Sequence, residues 1–444
     1  MKRVINLLLL TCSLGYAQVL DEAILLEHLN ESNPNIYALV GKNYVESEKV
    51  TYARGAFDIS TDAKYENKEY PNSKADYKDI YLSKTFENAL EVRAGYRDAY
   101  GTQEYNNIKT GDDGEFVASV KIPLLELAKS VNAKEYDLKK AKYNLKQTEL
   151  GSIKSVNDFK LITLQKYYQT LYLDEVVELY RKILQNAQER EAFVKQKIEQ
   201  GALGGVEALE AKEQTLSYKQ NFQSAKNSLD IAVEELCFYM HLPSEEFHRK
   251  YELPRLKNSL TQEHDLESSV QEALQKRAEI QAMKNSHKIL NLDQKYFSLL
   301  AYPKTNLTMY GIYDPIYKEG YKVTLTFDFA LEQTKYEAKQ KETLESLKYT
   351  SRLMQNKQNA IETKIRTLIL ESKTLSENLK NSQEQLKILQ ELESVEAKRY
   401  EMGLGNLFMV NQREQKTLEI KIKILALKLK SISIEKAIQR EKGV

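Results

Sequence analysis

Tryptophan is absent from the 444 residues, cysteine occurs twice, proline 7 times and glycine 16 times. Nowhere does the sequence approach the ~18 consecutive apolar residues of a membrane-spanning helix, which excludes a helical inner-membrane transporter. Basic and acidic residues nearly balance, 65 against 64, for a formal net charge of +1. That balance gives neither a basic footprint for nucleic acid nor a strongly acidic face. Of the five histidines, His241 and His248 lie near Glu245 and Glu246, but the spacing matches no zinc signature. The Gly111-Asp112-Asp113-Gly114 stretch suits a turn between strands and is too short for an EF-hand calcium loop. A phosphate-cradling glycine loop and a nucleophile elbow are both missing. The expectation is a protein without catalysis, cofactor or metal.

What the sequence does contain begins at its N-terminus. Lys2 and Arg3 precede an apolar run from Val4 to Leu10, and Gly15-Tyr16-Ala17 follows with small residues at −3 and −1. This is the layout of a secretory signal peptide over residues 1–17, with a mature chain from Gln18. Cys12 falls inside that leader, behind Thr11 rather than the small residue a lipidation site requires. Cys237 is then the only mature cysteine, so no intrachain disulfide can form.

Proline sorts the remainder. It stands at 34, 71, 123, 243, 254, 303 and 315, leaving 124–242 and 316–444 free of it. Both tracts read as long helices interrupted by glycine. In the second, Ile361, Ile365, Leu368, Leu375, Leu379, Leu386 and Leu389 alternate steps of four and three, with Ser372 and Ser382 in the gaps. Leu418, Ile422, Leu425, Leu429 and Ile432 resume the seam beyond the glycines, as a coiled coil requires. A helix from about 124 to 200 would be a rod of roughly 115 Å.

Each tract turns back at glycine. Gly201, Gly204 and Gly205 precede Glu207 in the first, and Tyr400, Gly403 and Gly405 precede Met409 and Gln412 in the second. Aligned on Gly201 and Gly403, the two turns share a basic residue four before, a glutamate two before and a Thr-Leu pair beyond. Glycine supplies the left-handed backbone a helical hairpin needs.

Period-two stretches precede each tract. In the second half 305–311 meets 322–329 across a turn at 314–320; in the first the candidates are 57–65, 90–100 and 115–122. Between matching landmarks the first half is about 37 residues longer (Ile36 to Pro123 against Ile280 to Ala330). The excess centres on the tyrosine-rich stretch from Glu66 to Leu90, where Asp79 to Lys84 reads as a possible additional strand. Shorter helices open each half at Asn33-Pro34-Asn35-Ile36 and Arg277-Ala278-Glu279-Ile280.

This order resembles the TolC-like outer-membrane factors. The resemblance rests on the paired opening motifs, Val120-Lys121-Ile122-Pro123-Leu124, both glycine tips, and the link through Leu242-Pro243, Leu253-Pro254 and Ala273-Leu274. It implies a mainly α fold in which long antiparallel coiled-coil hairpins form an α-barrel and strands join a trimeric transmembrane β-barrel. The repeats would then be 18–242, with its tip near 201–207, and 277–444, with its tip near 403–409, joined by an equatorial linker at 243–276. Four strands per chain would give twelve in a homotrimer.

The implied role is the passive exit duct of a tripartite efflux or type I secretion system. It would sit in the outer membrane with a long periplasmic portion, served by a periplasmic adaptor and an inner-membrane pump. The resemblance also implies a gate at the tips and a contact between Glu207 and Tyr400, residues that would otherwise be ordinary solvated helix ends. Met409 and Gln412 stand where some relatives carry a constricting ring of aspartates, which points to a less charged constriction. The competing reading, an exported periplasmic coiled-coil adaptor or scaffold, would be expected to carry one hairpin flanked by compact β-domains.

Overall fold

The computed structural model describes residues 18–101, 109–129, 131–201, 204–257 and 264–443. The expected signal peptide and Cys12 lie outside the described residues. The chain forms two compact units, one of residues 1–40, 154–277 and 360–444, the other of 41–153 and 278–359. Compactness therefore groups equivalent parts of both sequence halves.

The elements run β1 (Gln18–Val19), α1 (Glu22–Glu27), α2 (Pro34–Gly55), β2 (Ser60–Tyr70), β3 (Ser73–Thr85), β4 (Glu91–Gly101), β5 (Glu115–Pro123), α3 (Leu124–Lys129), α4 (Ala133–Glu199) and α5 (Gly205–Met240). There follow α6 (Ser244–Lys250), β6 (Tyr251–Glu252), α7 (Leu266–Lys276), α8 (Ala278–Leu300), β7 (Lys304–Asp314), β8 (Lys318–Asp328), α9 (Thr334–Glu401) and α10 (Leu407–Lys442). The duplication shows in the helix lengths. α4 and α5 have 67 and 36 residues; α9 and α10 have 68 and 36. The first rod starts later than its lack of proline suggests, at Ala133, because the Asn132 side chain accepts the Glu135 amide at 2.9 Å and caps a fresh start. At 1.5 Å per residue α4 is about 100 Å long.

The second unit holds a six-stranded antiparallel sheet in the order β2-β3-β4-β5-β7-β8. Among the described residues the first half thus supplies four strands to this sheet, and the expectation of four per chain is corrected to six. Asp79 to Lys84 lies within β3, which spans Ser73–Thr85, and β2 spans Ser60–Tyr70. Alternation gives the sheet two faces. Ile80, Leu82, Val92, Ala94, Tyr96, Phe116, Ala118, Val120, Leu307, Met309, Val323, Leu325 and Phe327 share one face by register, and most are exposed. The other face is polar, with a buried Arg97–Glu115 ion pair, and Arg93 lies 4.6 Å over the Tyr81 ring. Gly95 makes room for that ring: a Cβ there would fall 2.6 Å from it and 2.1 Å from the Ile80 carbonyl oxygen.

Turns fasten the sheet at both ends. The Gly111 amide donates to Asp314 at 2.8 Å, and Asp314 also accepts the Ile316 and Tyr317 amides. At the helix side, Asn132 donates to the Glu87 carbonyl and Lys134 to Thr85, both at 2.9 Å, tying the β3–β4 turn to the start of α4. Tyr136 stacks on Tyr296 at 4.0 Å and donates to Asp293 at 2.8 Å, joining α4 to α8.

In the first unit, α4, α5 and α10 bury a layered seam. Ala211, Tyr218, Ala225 and Ala232 follow one another at sevens along α5 and are all buried, as are Leu418, Leu425 and Ile432 on α10. Against them α4 sets Leu164 and Leu171, then Val176 and Val177, Ile183 and Ala187, and finally Val194. Seven-residue spacing keeps one helical face on its partner, which is the packing of a coiled coil. On α9, Ile361, Ile365, Leu368, Ser372, Leu375 and Ser382 are buried, while Leu379, Leu386 and Leu389 are half-buried.

Candidate functional site: the hairpin tips

Both long hairpins reverse through the same backbone device. Gly201 and Gly403 each have φ of +74°, and a Cβ at either would meet nothing within 4 Å. The glycines are needed for the left-handed conformation, not for space. At the second tip the Gly403 amide bonds the Tyr400 carbonyl at 3.0 Å and the Leu404 amide bonds the Arg399 carbonyl at 2.8 Å, a Schellman ending. The Gly201 amide bonds the Ile198 carbonyl at 2.8 Å in the same way.

The restarts differ. Asn406 accepts the Met409 amide at 2.9 Å and caps α10. Gly204 stands at the corresponding position before α5 with no side-chain cap. Gly205 opens α5 and Glu207 lies in its first turn. Gly405 is tightly placed, since a Cβ there would come 3.1 Å from the Tyr400 amide nitrogen.

Leu407 anchors the second restart, fully buried against Val194 of α4 and Ala211 of α5, with Tyr400 packed alongside. The Tyr400 hydroxyl is buried and makes no hydrogen bond among the described residues, so the contact with Glu207 implied by the resemblance is not formed as a hydrogen bond. Burial raises the Tyr400 pKa, Arg190 opposes that rise, and Glu207 and Glu210 add to it.

The polar link at this level involves other residues. Arg190 of α4 forks onto both oxygens of Glu414 on α10 at 3.0 and 3.1 Å, and also donates to Asn411 at 2.6 Å. The side chains are 19% and 7% exposed. A planar guanidinium matching a carboxylate in this way is the strong form of ion pair. Sequence reasoning passed over all three, although a signal was present. Leu407, Asn411, Glu414 and Leu418 follow steps of four and three, which puts an amide and a carboxylate on the apolar seam.

Beside this link, Leu209, Glu210, Glu213 and Gln214 of α5 and Phe408, Asn411, Gln412 and Gln415 of α10 line a surface groove of about 500 Å³. Gln412 forms part of its wall, and Met409 is half-buried nearby in sequence. Val206, Leu209, Met402, Leu404 and Phe408 leave more than half of their surface in solvent. So many apolar side chains left in water at helix ends suit a docking surface. The arrangement holds backbone turns, a buried ion pair and an apolar rim, and among the described residues it sets no nucleophile beside a base.

Residues 91–240 match the family model for outer membrane efflux proteins. No curated protein matches the sequence. In solved structures the same fold recurs at low identity. VceC of Vibrio cholerae, an outer membrane protein, is 12% identical with a TM-score of 0.71, covering 95% of this chain and 96% of its own. The Campylobacter jejuni CmeC outer membrane channel is 11% identical with a TM-score of 0.68, covering 97% and 89%. The Neisseria gonorrhoeae MtrE outer membrane channel, in its open state, is 11% identical with a TM-score of 0.69, covering 95% and 88%. The fold is that of a TolC-like outer-membrane efflux channel. Within it, the glycine turns are the ends of the two helical hairpins, and the six strands form one antiparallel sheet.

Proposed function

We propose that three copies of this chain assemble in the outer membrane into a channel-tunnel, the passive exit duct of a tripartite efflux or type I secretion system. The observation that carries this reading is the antiparallel sheet with one exposed apolar face, borne by the same chain as two matched pairs of long helices. Strand edges cannot remain open in lipid, so the sheet requires neighbours, and a closed ring of copies supplies them. The long helices then line a periplasmic tunnel. Transport through it is downhill and the chain performs no catalysis; energy comes from an inner-membrane pump reached through a periplasmic adaptor.

The tips are the gate. Gly201, Gly204, Gly205, Gly403 and Gly405 provide the turns, Glu207 and Tyr400 flank them, and Met409 and Gln412 contribute a constriction with little charge. The Arg190–Glu414 pair fastens the first hairpin to the second and holds the gate shut. The exposed Val206, Leu209, Met402, Leu404 and Phe408 offer the adaptor its docking rim.

Cell fractionation followed by sizing of detergent extracts tests the assembly. An outer-membrane complex of about three 51.4 kDa chains supports the duct. A freely soluble periplasmic monomer or dimer replaces it with the adaptor or scaffold reading.

A further inference from the structure

We infer that the barrel wall is eighteen-stranded, each of three copies contributing six strands, with β2 of one copy closing against β8 of the next. The inference rests on the trimeric duct proposed above and adds the identity of the sealing surface.

Among the described residues, β2 pairs only with β3 and β8 only with β7, so these are the two open edges. Both have 11 residues. β2 leads away from the helices that precede it and β8 leads back to those that follow. They run in opposite directions, and an antiparallel barrel needs that arrangement of its meeting edges. The partner each edge fits is therefore a second copy of this chain.

The β2–β3 hairpin belongs to the wall by its register. One hydrogen-bonded row passes through Ala63, Ile80, Tyr96, Phe116, Tyr313 and Glu319. From that row to the helix-side end of each strand, the chain runs nine residues in β8 (Glu319 to Asp328) and seven in β5 (Phe116 to Pro123). It runs five in β4 (Tyr96 to Glu91) and three in β2 (Ala63 to Ser60). A steady retreat of the ends across the sheet is the stagger of strands tilted in a closed barrel, and β2 and β3 continue it.

The outward face also continues. Thr61, Ala63 and Tyr65 on β2 and Ile80 and Leu82 on β3 extend the apolar band of the other four strands. Beyond them Asn67, Glu69, Asp76 and Lys78 make the hairpin's far end polar, as suits a segment standing above the lipid. By register Tyr65, Tyr96, Tyr313 and Tyr321 lie on the outward face toward one side of the band and Phe327 toward the other, where a barrel carries its aromatic girdles. Because barrel diameter grows with strand number, eighteen strands enclose a lumen roughly half as wide again as twelve.

Electron cryo-microscopy of the full chain in lipid nanodiscs reads copy number from symmetry and strand number from the wall. Three copies and eighteen strands are expected. Three copies with twelve strands, the hairpin lying off the wall, would overturn the inference and leave the trimeric duct intact. Two copies closing twelve strands would overturn both. A second readout uses cysteines on the sealing edges, Ala63→Cys paired with Val323→Cys, Leu325→Cys or Phe327→Cys, with Cys237→Ala removing the native thiol. Covalent trimers from at least one pair support the seam; their absence from all three, with assembly preserved, rejects it. Deleting 60–90 joins α2 to β4 directly, and the resulting barrel should be narrower by about one third.

Discussion

Replacing Glu414 with glutamine removes the charge from a link that is almost wholly withdrawn from water. Breaking one side of a buried ion pair costs about 3–5 kcal/mol. Arg190 keeps 19% of its side chain in solvent, so its orphaned charge is partly rehydrated and about 2 kcal/mol per copy is expected. That figure is roughly a 30-fold change in the equilibrium between joined and parted hairpins. If three tips part together, the factors multiply to about 10⁴, enough to turn a rarely open channel into one open most of the time. Conductance in planar bilayers measures this directly, with thermal unfolding of the purified protein as its companion. Glu414→Gln and Arg190→Met should each raise the open fraction, and the double variant should add little, since both act on one contact. Conductance unchanged in both single variants, with stability lowered by the same amount, would refute the latch and leave the pair a structural support.

Other consequences follow from the same geometry. Gly403→Val forces a β-branched side chain into φ of +74° and should reduce export while leaving the trimer intact; unchanged export removes the need for that turn. Tyr400→Phe deletes a buried hydroxyl without a described partner, so the melting temperature should hold or rise, and a clear fall would show that the hydroxyl is bonded in the assembly. Gly204→Ser should create a capping box with Glu207 and add roughly 0.5 kcal/mol to stability, read as a small rise in melting temperature. Burial alone would raise the Asp158 pKa, but hydrogen bonds from Lys154 and Arg440 outweigh it and hold the carboxyl below its ordinary value. Its contribution is therefore complete above about pH 4 and is lost as pH falls through the lowered folded value; Arg440→Met should flatten that acid dependence, measured by unfolding between pH 5 and 2.

The helical part was legible because it repeats. A missing proline, a four-and-three seam and a glycine turn each recur, and 67 and 36 residues against 68 and 36 is the structural counterpart. The tip was legible only in its backbone. Gly201 and Gly403 announce themselves because few residues other than glycine enter the left-handed region at no cost. Arg190 and Glu414 did not, since 129 charged residues hide any chosen pair until burial singles it out. The Glu207–Tyr400 contact came from resemblance, and the hydroxyl instead sits without a described partner beside the Arg190–Glu414 link.

β2 was legible only in its first half, within 57–65, for a different reason. Asp62, Lys64, Glu66 and Lys68 fill one of its faces, and Thr61, Ala63 and Tyr65 give the other only a weak apolar signal. A strand whose inner face meets water can carry such charge, and its alternation then looks like a polar loop. Topology supplies what composition hides. The chain leaves α2 at the helix end of the sheet and must reach α4 at that same end, so the strands between them must be even in number. The segments 57–65, 90–100 and 115–122 are three, and a chain running three times along the sheet would leave its next helix at the opposite end of it. Either two or four crossings satisfy the connection. The 37 additional residues are too many for a turn and about enough for one more hairpin of two 11-residue strands with its turns, each residue of strand rising about 3.4 Å. Counting crossings before weighing hydrophobicity makes the strand at 79–84 the necessary fourth, paired with the charged strand that begins within 57–65.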